Sequence, residues 1–209
     1  MPTALKPSTF FPMMLRIEGK KCLVVGGGRV AAEKIAGLLA HGANITVVSP
    51  RIVAAIQKQA RAGTLRWIKR RFSPGDVKNT FLAIAATNSS AVNSLVFRAC
   101  ADRGVLCNAV DDPENCDFFY PAVVRRGPLQ IAISTGGNSP ALASRLRREL
   151  EQQFAPEWAK WVEQLGEMRR ELMQQKISTR TRRAKLLRLA SDRSFRDFLR
   201  TSQRKSQPR

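Results

Sequence analysis

The sequence predicts an α/β protein: a doubly wound domain on a parallel sheet, then a small strand-containing region and a helical C-terminal domain. Three observations carry this. Short apolar runs alternate with stretches of helical periodicity up to about residue 112, two turn-linked apolar runs follow, and the remainder is helical in pattern and strongly basic.

Cys22 to Val25 is apolar throughout, as a strand covered on both faces requires, and it runs into Gly26, Gly27 and Gly28. Val30, Ile35, Leu38 and Leu39 then recur at helical spacing up to a stop at Gly42, and Ile45 to Val48 forms a β-branched run. This is a βαβ unit of about 30 residues. Further units fit a helix over 52–62, a strand near 65–69, a strand at 81–85, a helix over 91–103 and a strand at 105–110. Residues 14–112 therefore read as one Rossmann-like domain. The segment FFYPAVVRRGPLQIAIST follows, its two apolar runs joined by Arg125-Arg126-Gly127-Pro128, which predicts an antiparallel pair. Ser139 as N-cap and Pro140 in the first turn start a helix, and Pro156 separates it from another at 157–174. Residues 181–200 are again helical in pattern, and the last nine read as disordered.

Composition bounds the function. With 209 residues, 44% apolar and 25% charged, the chain is globular rather than wholly disordered. No apolar run reaches the roughly 18 residues of a membrane span, and prolines interrupt the apolar N-terminus, so neither a membrane helix nor a signal peptide is expected. A cytoplasmic protein follows. Cys22, Cys100, Cys107 and Cys116 form no C-x-x-C pair and read as reduced thiols, and the single histidine, His41, falls at a helix end where a partly cationic ring suits the dipole. No metal site is expected, and chemistry must come from carboxylates, hydroxyls and a cofactor. The formal charge is +20, of which residues 176–209 carry half, with 12 Lys+Arg against 2 Asp+Glu. Such a tail suits nucleic acid or acidic lipid, but a solvated helical appendage accounts for it as well, and nucleic acid is not the expected partner.

Gly26-Gly27-Gly28-Arg29-Val30-Ala31 fits G-x-G-x-x-A between a strand and a helix. Gly26 permits the tight turn, Gly28 lets a pyrophosphate approach the backbone, and Ala31 allows close helix packing. An acidic residue usually ends the second strand of an NAD site, but here Val48 is followed by Ser49, Pro50 and Arg51, and by charge alone Ser49 and Arg51 favour the 2′-phosphate of NADP. Thr87 and Asn88 end the fourth strand at the edge where ligands bind, and Asn108, Asp111 and Asp112 end the fifth. The two aspartates read either as turn residues before Pro113 or as a source of a general base. Ser134, Thr135, Gly136, Gly137, Asn138 and Ser139 place hydroxyls and flexible amides at a helix N-terminus, suited to an anion or to a plain cap.

Together GGGRVAAEK, ITVVSP, FLAIAATN and LCNAVDDPENCDFFYPAVVRRGPLQIAISTGGNSPALA resemble the precorrin-2 dehydrogenase family, which includes the N-terminal module of siroheme synthase, over roughly residues 14–175. The resemblance implies NAD-dependent oxidation of precorrin-2 to sirohydrochlorin by an intertwined homodimer. It divides the chain into a tail (1–13), an NAD-binding domain (14–112), a dimerisation region (113–140), a helical domain (141–200) and a basic tail (201–209). It makes Asp111 the essential carboxylate and Arg29, Val30, Pro50 and Arg51 nucleotide contacts. Because relatives without an acidic residue at that strand end use NAD, it replaces NADP by NAD. Asn108, Arg125, Arg126 and the 134–138 loop become substrate candidates, and Thr135 stands where some relatives have a regulatory serine. Some members also insert Fe²⁺ into sirohydrochlorin. An NAD-sensing, nucleic-acid-binding protein without catalysis is the alternative from another class.

Overall fold

The computed structural model describes residues 10–205, with side chains to 201. They form two compact units divided between Tyr120 and Pro121. That division falls later than the expected boundary after residue 112, because Asn108, Cys107 and the segment 116–118 are joined by hydrogen bonds.

The first unit contains strands β1 (Lys21–Val25), β2 (Asn44–Val48), β3 (Arg66–Ile68), β4 (Leu82–Ala85) and β5 (Leu106–Ala109), with helices α1 (Arg29–Leu39), α2 (Ala54–Arg61) and α3 (Ser90–Ala101). The strands are all parallel in the order β3-β2-β1-β4-β5. Strand order reverses at β1, and this switch point is where open α/β sheets bind ligands. Side chains alternate across the sheet. Cys22, Val24, Ile45, Val47, Leu82 and Ile84 pack with Ala31, Ile35 and Leu38 of α1 and Ile56 of α2. Leu23, Val25, Ala83, Ala85, Cys107 and Ala109 pack on the other face with Val96, Ala99 and Cys100 of α3. Each fully buried aliphatic side chain contributes about 1.5–3 kcal/mol, so the apolar strands are what fix the sheet in the interior. Helix α2 starts later than Ile52 because the Val53 amide donates to the Gly27 carbonyl at 2.8 Å.

The second unit begins with β6 (Ala122–Arg126) and β7 (Leu129–Ile133), antiparallel as expected. Four helices follow: α4 (Pro140–Gln153), α5 (Glu157–Gln174), α6 (Thr179–Leu189) and α7 (Asp192–Lys205). The Ser139 hydroxyl accepts from the Leu142 amide at 3.2 Å, as its N-cap position predicts. The single helical stretch expected over 181–200 is two helices. The Ser191 hydroxyl accepts from the Ser194 amide at 3.4 Å and starts the second, which brings Phe195 to 4.4 Å from Trp158 and Phe198 to 5.2 Å from Trp161. Residues 201–205 continue α7 in place of the disordered tail expected there. Of the two terminal tails, residues 1–9 and 206–209 lie outside the described residues.

Candidate active site at the carboxyl edge of the parallel sheet

Because all five strands run the same way, their carboxyl ends deliver 26–30, 49–51, 87–88 and 111 to one edge. The Gly26 amide donates to Val48 at 3.0 Å, Ala86 to Val25 at 2.8 Å and Val110 to Ala85 at 2.9 Å, so the loops leave from a hydrogen-bonded platform.

The three glycines do different work. Gly26 has φ +121°, and a Cβ there would lie 2.2 Å from the Ala86 carbonyl oxygen. A Cβ on Gly27 would lie 2.0 Å from the Arg51 carbonyl oxygen. Around Gly28 a Cβ would meet nothing within 4 Å, and its backbone is extended with φ −82°. The protein's own packing therefore demands glycine at 26 and 27, whereas Gly28 faces open space. Helix α1 starts there without a side-chain cap or an acidic residue in its first turn, leaving its terminal amides and the cationic Arg29 for an anion. Val30 is 43% exposed beside them. This cradle fits a dinucleotide pyrophosphate. Gly27 escaped the sequence analysis because the motif leaves its position free.

Beside the cradle, Ser49 is 7% exposed and its hydroxyl donates to the Arg51 carbonyl at 2.6 Å, while its own carbonyl accepts from the Trp67 indole at 2.9 Å. Ser49 thus shapes the loop that presents Pro50 and Arg51, both exposed. Thr87 is held by a residue that the sequence did not single out. Asn93 of α3, 4% exposed, accepts from the Thr87 hydroxyl at 2.8 Å and amide at 3.3 Å, and donates to its carbonyl at 3.2 Å. A lone amide in the apolar turn AVNSLVF was the available signal. Asn88 is exposed next to it.

At the end of β5 the polar residues separate. The Asn108 amide donates to the Phe118 carbonyl at 2.8 Å and the Cys116 sulfur at 3.3 Å and is 7% exposed, so it ties down the following loop. Asp117 accepts from the Cys107 amide at 2.8 Å, and Asp112 accepts from the Asn115 side chain at 2.6 Å. Asp112 is the turn residue. Asp111 is exposed at φ +60°, and its carboxylate has no hydrogen bond or ion pair among the described residues. A left-handed aspartate between two anchored segments is held facing solvent at the sheet edge.

In the second unit, Ser134 accepts from the Gly136 amide at 3.2 Å, and Thr135 accepts at its hydroxyl from Ser139 (3.1 Å) and at its carbonyl from the Asn138 side chain (2.9 Å). Gly136 and Gly137 adopt positive φ, and Asn138 is exposed. Arg126 donates to the Phe154, Arg125 and Glu151 carbonyls at 2.6, 2.8 and 2.9 Å, closing the end of α4, which removes it from the substrate candidates. Arg125 remains exposed. The cysteines are free thiols. His41 donates through Nδ1 to the Gly37 carbonyl, 2.7 Å away, at the end of α1. Among the described residues no His, Cys, Asp or Glu group is arranged to hold a metal, and no helix is long and apolar enough to cross a membrane.

A classical strand order, a glycine cradle and an open helix end at the switch point define a Rossmann-type nucleotide-binding protein. Comparison with known proteins is more specific. Residues 13–122 match the family described as putative NAD(P)-binding, and 126–153 match the sirohaem biosynthesis protein central domain. Siroheme synthase 1 of Aeromonas salmonicida is 40% identical and siroheme synthase of Nitrosococcus oceani 42% identical, each over 68% of this chain and 30% of its own. The chain thus spans about a third of the length of these curated relatives. The solved structure of SirC, precorrin-2 dehydrogenase, superposes with a TM-score of 0.78 at 30% identity, over 93% of this chain and 100% of its own. This chain belongs to the precorrin-2 dehydrogenase family, shared with part of the siroheme synthases, and its first unit is a nicotinamide-dinucleotide-binding domain.

Proposed function

We propose that this protein oxidises precorrin-2 to sirohydrochlorin with NAD, in siroheme biosynthesis, and that Asp111 is the general base. The observation that carries the reading is the free, outward-held carboxylate at the end of β5, on the edge that also holds the dinucleotide cradle. Similarity to SirC along almost the whole chain supports the substrate class.

The oxidation removes a hydride and a proton from the tetrapyrrole. The nicotinamide, when bound, accepts the hydride. The α1 amides, Gly28 and Arg29 would hold its pyrophosphate, Arg51 and Pro50 would lie toward the adenosine ribose, and Thr87 and Asn88 toward the nicotinamide. Asp111 receives the proton at its carboxylate, a role that its freedom from internal partners supports. Within the second unit, Arg125 and the 134–138 loop offer exposed donors of the kind that carboxylates accept from. A homodimer completes this reading: β6 and β7 form a two-stranded sheet, so each strand keeps one unpaired edge to which a second copy can add strands.

An anaerobic assay with precorrin-2 and NAD tests the proposal. NADH should form with the wild type, and Asp111→Ala should abolish it while dinucleotide binding survives. Unchanged turnover in the variant refutes the role of Asp111, and no turnover in the wild type refutes the activity.

A further inference from the structure

The helices of the second unit answer their positive charge unevenly. Helix α4 pairs its arginines as a solvated helix ordinarily does, Arg145 with Glu149 at 3.3 Å and Arg147 with Glu151 at 2.5 Å, each four residues apart. Helix α6 holds Arg180, Arg182, Arg183, Lys185 and Arg188 and no Asp or Glu. These cations divide by task. Arg182 turns inward and donates to the carbonyls of Leu172 at 3.2 Å and of Gln175 and Ile177 at 3.4 Å, which closes the end of α5. Lys185 is half-buried beside Leu186 and Leu189. Arg180, Arg183 and Arg188 lie on the opposite side of the helix, exposed, and their side chains have no hydrogen bond or ion pair among the described residues. Glu171 of α5 lines a groove with Lys185 and Arg188 but stays beyond ion-pair distance of both.

Helix α7 repeats the arrangement. Phe195 lies 4.4 Å from Trp158 and Phe198 5.2 Å from Trp161, so Arg193, Arg196 and Arg200, three and four residues apart, face solvent. Of these, Arg200 alone has an ion pair among the described residues, to Asp197 at 3.8 Å, with both side chains exposed. Two residues join α6 to α7, so the two arginine stripes adjoin.

Like charges at this spacing repel, and a polyanion relieves the repulsion. The head group and the surface select its class. A guanidinium fork matches the paired oxygens of a phosphodiester, and stripes that run roughly 10–12 Å along each helix suit a chain of phosphates better than a single one. The phenylalanines of α7 are engaged by the tryptophans, and among the described residues Leu187 is the one large apolar side chain on the exposed side of α6, so no apolar face is offered to a bilayer. We propose that α6 and α7 form a surface for nucleic acid, held along its phosphodiester backbone without regard to base sequence. The proposal is independent of the dinucleotide cradle, which belongs to the first unit.

Fluorescence anisotropy of the full-length protein with labelled single-stranded RNA, single-stranded DNA and duplex DNA of mixed sequence tests it, with vesicles of phosphatidylcholine and phosphatidylserine as the competing surface. At least one nucleic acid should bind at about 50 mM salt. Six arginine contacts give a slope of log K against log salt of about −4 to −5, so binding should weaken roughly 250- to 1000-fold by about 200 mM. Replacing Arg180→Gln, Arg183→Gln and Arg188→Gln together should reduce the slope by about 2 to 3 and weaken binding at about 50 mM salt roughly 100-fold or more. The pair Arg193→Gln and Arg196→Gln reads the other stripe and should reduce the slope by about 1 to 2. These side chains have no internal partners, so circular dichroism should show both variants folded. An equal change of charge in the first unit, at the exposed Lys58→Gln, Arg61→Gln and Lys78→Gln, should leave slope and affinity near those of the wild type. Absence of binding to any nucleic acid at the lower salt, adsorption to the vesicles instead, or a loss as large in the first-unit control as in the α6 variant overturns the proposal.

Discussion

Replacing each glycine of the cradle by alanine separates what the fold requires from what the ligand requires. In Gly26→Ala the new Cβ lies 2.2 Å from the Ala86 carbonyl oxygen, in a backbone conformation with φ +121°. Overpacking and left-handed strain cost about 1–3 kcal/mol each, so about 2–6 kcal/mol is lost and Tm falls on the order of 10 °C. Gly27→Ala meets the Arg51 carbonyl at 2.0 Å without the positive φ, so its loss lies toward the lower end of that range. Gly28→Ala meets nothing within 4 Å, at φ −82°. A methyl group there restricts the unfolded chain and stabilises by about 0.4–1 kcal/mol. The same methyl group stands where the pyrophosphate approaches the helix amides, and losing one charge-assisted hydrogen bond costs about 1.5–3 kcal/mol, roughly 10- to 100-fold in Kd. Thermal melts and dinucleotide titrations of the three variants provide the assay. A Gly28→Ala protein that melts well below the wild type, or that binds dinucleotide unchanged, refutes the assignment.

Two further outcomes concern titratable groups. The side-chain hydrogen bond from Arg70, with the Ser73 amide and the guanidinium charge, holds the Asp76 carboxyl below the usual carboxylate range. Its stabilisation is therefore complete above an unfolded value of about 3.9 and fades as pH falls through the lower folded value, so Asp76→Asn should lower the urea midpoint at pH 7, and the difference from the wild type should shrink as the pH falls below about 4. Burial pushes the Cys22 thiol up to about 11 and raises Cys116 also, while Cys22, Cys100 and Cys107 are buried and Cys116 only half-buried. Alkylation of the native protein at pH 8, followed by mass spectrometry, should therefore modify Cys116 first and slowly, and the other three only on unfolding.

The parallel sheet was legible in the sequence because the central strands β1 and β4 are apolar on both faces from Cys22 to Val25 and from Leu82 to Ala85, and α1 keeps its period. Ala31 and Ile35 reach the core where that period puts them. Ser139 and Pro140 marked the start of α4 because capping is local chemistry. What local pattern could not convey was which polar groups meet between one element and the next. Asn93 meets Thr87, Asn108 meets Phe118 and Arg126 meets Phe154, and each pairing exists only once the elements have folded together. The internal bonds of Asn108 and Arg126 were therefore not legible in the sequence. The break between α6 and α7 was hidden for the same reason, since Phe195 and Phe198 turn back only because Trp158 and Trp161 are there to receive them.

The carboxyl edge sorts its polar groups by this rule. Ser49, Asn93, Asn108, Asp112 and Asp117 all complete hydrogen bonds to nearby backbone or side chains, and each fixes one of the loops that leave the sheet. Rigid loops are what a catalytic group needs beneath it, because a carboxylate displaced by an ångström loses much of its rate advantage. Asp111 and Arg51 remain, exposed and without partners, one beyond β5 and the other beyond β2 on either side of the glycine turn. Their freedom is intelligible if both partners arrive from solution: a proton from the substrate at Asp111, and the ribose end of the dinucleotide at Arg51.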